Sequence, residues 1–189
     1  MSATSDSDDE FTLIFEGPPK APPSMAAVSE AQRKEVKEGA AKLQQAGYCI
    51  NIVRPATKVA PLAPGAKRYI LCIDDDVPLV QILARKLTFD GYYVRTASDR
   101  QTIIAELQKL PSPDLILLDV GLPGISGFDV LQKVRKHPKL GSVPVIMLTG
   151  HISPENVLQG MTSGADGYVS KPFQFDALAV AIKTVLGMQ

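Results

Sequence analysis

A chain of 189 residues has room for one ordinary domain plus an appendage, and it is long enough to bury a core. Its 20 basic and 20 acidic residues cancel, so no net field draws it to nucleic acid or to an anionic membrane. Apolar runs stop at about six residues, well short of the ~20 that span a bilayer.

Residues 1–10 are polar and acidic (Asp6, Asp8, Asp9, Glu10), a composition that favours disorder and lacks the basic-then-apolar layout of a secretory leader. Residues 11–15 read as a short strand, and the Gly-Pro-rich stretch 17–23 cannot be regular. A helix is predicted over 29–46, capped by Ser29 and ended at Gly47, with a strand over 48–53 behind it. Pro55, Pro61, Pro64 and Gly65 then form a linker. This divides the chain into an extension, 1–66, and a second unit, 67–189. A strand, a helix and a strand are too few to bury a core alone, so their apolar residues need cover from the last helix of 67–189, from a sheet edge or from another protein. Cys49 and Cys72 sit in strand-like runs without metal-type spacing and read as reduced, buried thiols. Together with the missing leader, they point to the cytoplasm.

From Lys67 the chain alternates strand and helix five times, which calls for a doubly wound α/β sheet. Helices are predicted near 78–90, 99–110, 126–136, 154–163 and 174–186. The first carries a core stripe of Val80, Leu83 and Leu87; the last carries Leu178, Ile182 and Val185, with a bland outer face of Ala177, Val180 and Thr184. Lys86-Leu87-x-x-x-Gly91-Tyr92 echoes Lys42-Leu43-x-x-x-Gly47-Tyr48, which reads as shared helix-ending chemistry rather than a duplicated domain.

Four apolar strands, 69–73, 114–118, 143–148 and 168–170, each release a polar group. These are Asp74-Asp75, Asp119, Thr149 and Lys171-Pro172. Ligands of open parallel sheets bind outside the carboxyl ends of the strands, where strand order reverses. Three neighbouring carboxylates repel unless a cation compensates them. An oxygen-only ligand set suits Mg2+ better than a thiolate-loving metal. An Asp after a strand is often only a turn former, and Asp-Asp before Val77-Pro78 could simply cap a helix. All four groups in order, at the ends of successive strands, carry the weight that none carries alone.

This set resembles the response-regulator receiver domain of two-component signalling, over residues 67–189; residues 1–66 are not recognised. The resemblance implies a flavodoxin-like, five-stranded parallel sheet of order 2-1-3-4-5, with a small N-terminal strand-helix-strand extension. It implies Asp119 as phosphoacceptor, forming a mixed anhydride by attack on phosphorus. Mg2+ would be held by Asp75 directly, by Asp74 mainly through water, by one oxygen of Asp119 and by the Gly121 backbone carbonyl. Asp76 lies outside that set. Lys171 and Thr149 read the phosphoryl oxygens, Gly150 leaves the group uncrowded, and the Lys171-Pro172 bond matches a position that is usually cis. His151 reads as an exposed loop histidine near the phosphoryl group.

By the same resemblance, phosphorylation draws Thr149 inward and Tyr168 follows. The changed surface is the unit's fourth helix, fifth strand and fifth helix, about 154–186. The expected donor is a histidine kinase or a histidine phosphotransfer protein, and the output is a downstream protein partner, with no nucleic acid and no membrane. A homodimer through that surface or through the N-terminal extension is also open. Many relatives continue into a DNA-binding or enzymatic domain, which is not expected here. Two rivals remain: a scaffold using the fold without phosphorylation, and an aspartate-nucleophile phosphatase. The second usually carries another Asp two residues past the nucleophile, where this chain has Gly121.

Overall fold

The computed structural model describes residues 50–52, 62–63, 65–150 and 163–188. In chain order the elements are β1 Ile50–Ile52, β2 Tyr69–Ile73, α1 Val77–Phe89, β3 Tyr93–Ala97, α2 Arg100–Gln108, β4 Leu115–Asp119, α3 Gly127–Lys136, β5 Val145–Thr149, β6 Gly167–Ser170 and α4 Phe175–Val185. The expected strand 11–15, helix 29–46 and helix 154–163 lie outside the described residues, as do Cys49 and His151. None of the described helices is long and apolar enough to cross a membrane.

Strands β2, β4 and β5 are apolar on both faces and buried at every residue, as central strands covered by helices on each side must be. β3, with Arg95 and Thr96, has the mixed pattern of an edge. The helices begin where short polar side chains accept backbone N–H groups. Asp76 takes the Leu79 N–H at 3.0 Å, Asp99 forms a capping box with Thr102, and Ser126 takes the Phe128 N–H. Gly91 ends α1 at φ +94°, a conformation other residues adopt at a cost, so the next strand starts at once.

The sheet order is β1-β6-β5-β4-β2-β3. Its last five members are the expected parallel sheet of order 2-1-3-4-5. The sixth is contributed by the upstream segment, which takes its cover from a sheet edge, one of the three covers open to it. The middle of the predicted strand 48–53 joins the same sheet, antiparallel to β6, with Ile50 opposite Val169 and Ile52 opposite Gly167. An open edge supplies unpaired backbone groups, and β1 satisfies those of β6.

Side chains on the two faces of the sheet form two cores. On one face Leu71, Ile73, Ile116, Leu118 and Met147 pack with Ile103, Phe128, Leu131 and Val134. On the other, Ile70, Cys72, Leu117 and Leu148 pack with Leu83, Leu87, Leu178 and Ile182. Cys72 is a free, buried thiol, pushed up to about 12 by burial and secondarily by the charge of Asp74.

Candidate functional site

Each polar group stands where a buried strand runs out. The Asp74 N–H donates to the Ala97 carbonyl at 3.1 Å, and its Oδ1 accepts the Asp76 N–H at 3.1 Å. Asp76 caps α1, its side chain accepting the Leu79 N–H. Asp119 closes β4, and the Val120 N–H reaches the Leu148 carbonyl at 2.9 Å. The Lys171 N–H donates to the Thr149 carbonyl at 2.6 Å, which ties the ends of β5 and β6 together. β2 and β4 are the neighbours between which the chain order reverses, so their C-terminal ends open into the crevice that this topology provides.

Into that crevice reaches Lys171. Its Nζ lies 2.5 Å from Asp119 Oδ1 and 2.6 Å from Asp74 Oδ2. The Gly121 N–H donates to Asp119 Oδ2 at 2.5 Å. Asp74, Asp119 and Thr149 are buried, at 1%, 5% and 2% exposure, whereas Asp75 is exposed. Burial pushes the Asp74 carboxyl up, and the hydrogen bond and charge of Lys171, with the Asp76 N–H, only partly reverse this. Burial pushes the Lys171 ammonium down, but Asp119 and Asp74 more than restore it, and its net shift is upward.

A cation fits this set. Carboxylate oxygens of Asp74, Asp75 and Asp119 lie within 4.8 Å of one another. Asp74 Oδ2 has the Lys171 ammonium at 2.6 Å and no other partner, so this buried oxygen keeps lone-pair capacity to spare. An anionic oxygen in that position invites a second cation.

The structure thus brings together Asp74, Asp75, Asp119, Gly121, Thr149 and Lys171, and the Lys171-Pro172 bond is cis. A Cβ at Gly150 would meet nothing within 4 Å, so that position leaves the site uncrowded. Tyr168, whose direction the sequence leaves open, points inward at 2% exposure. Lys171 also lines a cavity of about 370 Å³ with Asp76, Leu79, Pro172, Phe173 and Phe175. Sequence reasoning missed Gly127. A Cβ there would collide with the Asp119 carbonyl and come within 2.9 Å of the Val120 Cα, so α3 can start this close to the site only with glycine. The available signal was a glycine in the first turn of a helix, where better helix formers are usual.

The comparisons with known proteins agree with this geometry. The family model described as the response regulator receiver domain matches residues 70–183. The probable transcriptional regulatory protein TcrX of Mycobacterium tuberculosis is 35% identical over 125 residues, covering 66% of this chain and 52% of that protein. RpaA of Synechocystis, a DNA-binding dual master transcriptional regulator, is 37% identical over 120 residues, 62% of this chain and 48% of its own. The chain spans about half the length of these curated relatives. Among solved structures, the chemotaxis protein CheY4 of Vibrio cholerae superposes with a TM-score of 0.61 at 34% identity, covering 64% of this chain and all of that one. With the family's sheet order, and with a match across more than half of its length, this chain belongs to the response-regulator receiver family.

Proposed function

We propose that the chain is a phosphorylation-dependent signalling switch in which Asp119 accepts a phosphoryl group from a histidine kinase or a histidine phosphotransfer protein. The observation that carries this reading is the Lys171 ammonium laid across Asp119 and Asp74 at the mouth of the β2–β4 crevice. In the transfer, a carboxylate oxygen of Asp119 forms the new bond to phosphorus while the P–N bond to the donor imidazole breaks, and the imidazole leaves with that electron pair. Asp74, Asp75, Asp119 and the Gly121 carbonyl would hold Mg2+, which when bound neutralises charge on the phosphoryl oxygens. Lys171, paired with Asp119 beforehand, then turns to a phosphoryl oxygen, and the Thr149 hydroxyl donates to another.

The modified carboxylate carries more negative charge and three strong acceptors, which draws on Thr149 and Lys171 together. Tyr168 lies on β6, three residues before Lys171, so the response reaches β6 and α4. The output is a changed protein–protein contact, in the cytoplasm. Balanced charge argues against nucleic-acid contact by these 189 residues themselves. RpaA's DNA binding belongs to a protein of which this chain covers half. Gly121, in the place where aspartate-nucleophile phosphatases carry a second acid, counts against external phosphoester turnover, and the assembled pocket counts against a purely structural scaffold.

The test is intact-mass analysis of the full chain after incubation with acetyl phosphate and Mg2+. Wild type should gain one phosphoryl group, and Asp119→Asn none, with an unchanged circular dichroism spectrum. Labelling of another residue in that variant, or none in wild type, overturns the assignment.

A further inference from the structure

The β6 strand does two jobs. Its inner end runs directly into Lys171, whose N–H holds the Thr149 carbonyl and whose ammonium rests on Asp119 and Asp74. Its outer edge is paired with β1, a strand of three residues that lies outside the family match at 70–183. The register places Asn51 opposite Tyr168 and Ile50 opposite Val169, so β1 ends its pairing only two residues short of Lys171. The β1 backbone also passes within 8 Å of α4, on the flank where a response of the site would emerge. β1 is the one antiparallel member of the sheet among the described residues and the shortest of its strands.

A strand this short adds few ladder bonds, so its pairing is easily tipped by a change in the position or twist of its partner. β6 is such a partner, because Lys171 and Thr149 both re-aim when Asp119 is modified. β1 is seen on β6 while Lys171 bridges the two carboxylates, and that is the arrangement it braces.

We propose that strand Ile50–Ile52 is a built-in regulatory strand, whose pairing to β6 opposes phosphorylation of Asp119 and is in turn loosened by it. This rests on the proposed acceptor role of Asp119. Linkage makes the two effects reciprocal: whatever holds β1 down lowers phosphoryl uptake by the factor by which uptake weakens β1. It also makes the 1–66 segment part of the switch, with the β6 edge and the freed strand as the output that phosphorylation exposes.

Two variants of the full chain act in opposite directions. Ile50→Pro/Asn51→Pro removes two consecutive N–H donors, so whichever residue faces β6 is lost. Ile50→Cys/Val169→Cys, in a Cys49→Ser background, places two thiols at directly opposed positions about 5 Å apart, within disulfide reach, and locks the strand. With limiting acetyl phosphate and Mg2+, the proline variant should be phosphorylated about fivefold more than wild type, the low end of typical coupling. The oxidised cysteine variant should fall by a similar factor and recover with dithiothreitol. As a readout needing no variant, the amides of residues 50–52 should exchange faster in phosphorylated wild type. Equal uptake in locked, free and broken forms, or exchange that is unchanged or slower on phosphorylation, overturns the coupling alone. A wild-type chain that takes no phosphoryl group overturns the acceptor assignment and the coupling with it.

Discussion

Asp74 shows what burial does to a single carboxyl beside an ammonium. It is nearly inaccessible, one oxygen takes the Asp76 N–H, and the other has the Lys171 ammonium as its one partner. Burial, the largest influence, leaves its folded pKa above the unfolded 3.8. The folded protein therefore holds this proton more tightly than the unfolded chain, and the ionised form costs stability at neutral pH. That cost fades as pH falls through the raised value toward 3.8. Lys171 works in the other sense. Its raised pKa contributes stability below about 10.5, the unfolded value, which is lost as pH rises through the folded one. Asp74→Asn should therefore keep or raise the melting temperature at pH 7 while losing Mg2+ affinity, measured by thermal scans and metal titration. A melting temperature several degrees lower would mean that the ion pair to Lys171 outweighs the burial of Asp74.

At the scale of elements, what the sequence showed well was local and what it missed was long-range. α1, α2, α3 and α4 begin within one residue of the expected starts, because Asp76, Asp99 and Ser126 cap three of them and the apolar stripes fix their buried faces. The four site-bearing strand ends were legible because central parallel strands are apolar throughout and the first polar residue marks the exit. The partner of β1 was not legible: Ile50–Ile52 has no marker for an edge that lies more than a hundred residues on. Nor was the tie between α3 and β6. Arg135 on α3 donates to the Gly164 and Val143 carbonyls at 2.7 Å each and pairs with Asp166 at 2.7 Å, while Asp166 accepts the Val145 N–H. One guanidinium thus fixes the entrances to β5 and β6, which in sequence looks like any basic residue in a last helical turn. Arg135→Ala strands the mostly buried Asp166 and should cost about 2–4 kcal/mol in denaturant unfolding. A loss below about 1 kcal/mol would make the tie ornamental. Gly127→Ala tests the contact between α3 and β4. Overpacking against Asp119 should cost about 1–3 kcal/mol and slow phosphoryl uptake, because the helix and the acceptor strand must part. Normal uptake at reduced stability would show that α3 moves and the site does not.

For the whole molecule, the sheet separates a reactive end from a connecting end. The carboxyl ends of β2, β4, β5 and β6 carry the candidate site, and β1, running antiparallel, brings the chain back to the opposite end before β2 begins. Two cores are complete from Tyr69 onward, and the upstream strand joins the sheet at its edge. The fragment 67–189 should therefore unfold cooperatively in denaturant and accept a phosphoryl group at least as readily as the full chain. Its cost should appear elsewhere. Without β1 the N–H and C=O groups of the β6 edge stand open, and such an edge templates pairing with another chain. In sedimentation velocity across a concentration series, the fragment should self-associate at concentrations where the full chain does not. If the two sediment alike at every concentration, β1 is not what protects that edge. If the fragment fails to unfold cooperatively, the upstream segment belongs to the core of the fold, and 67–189 is not a domain.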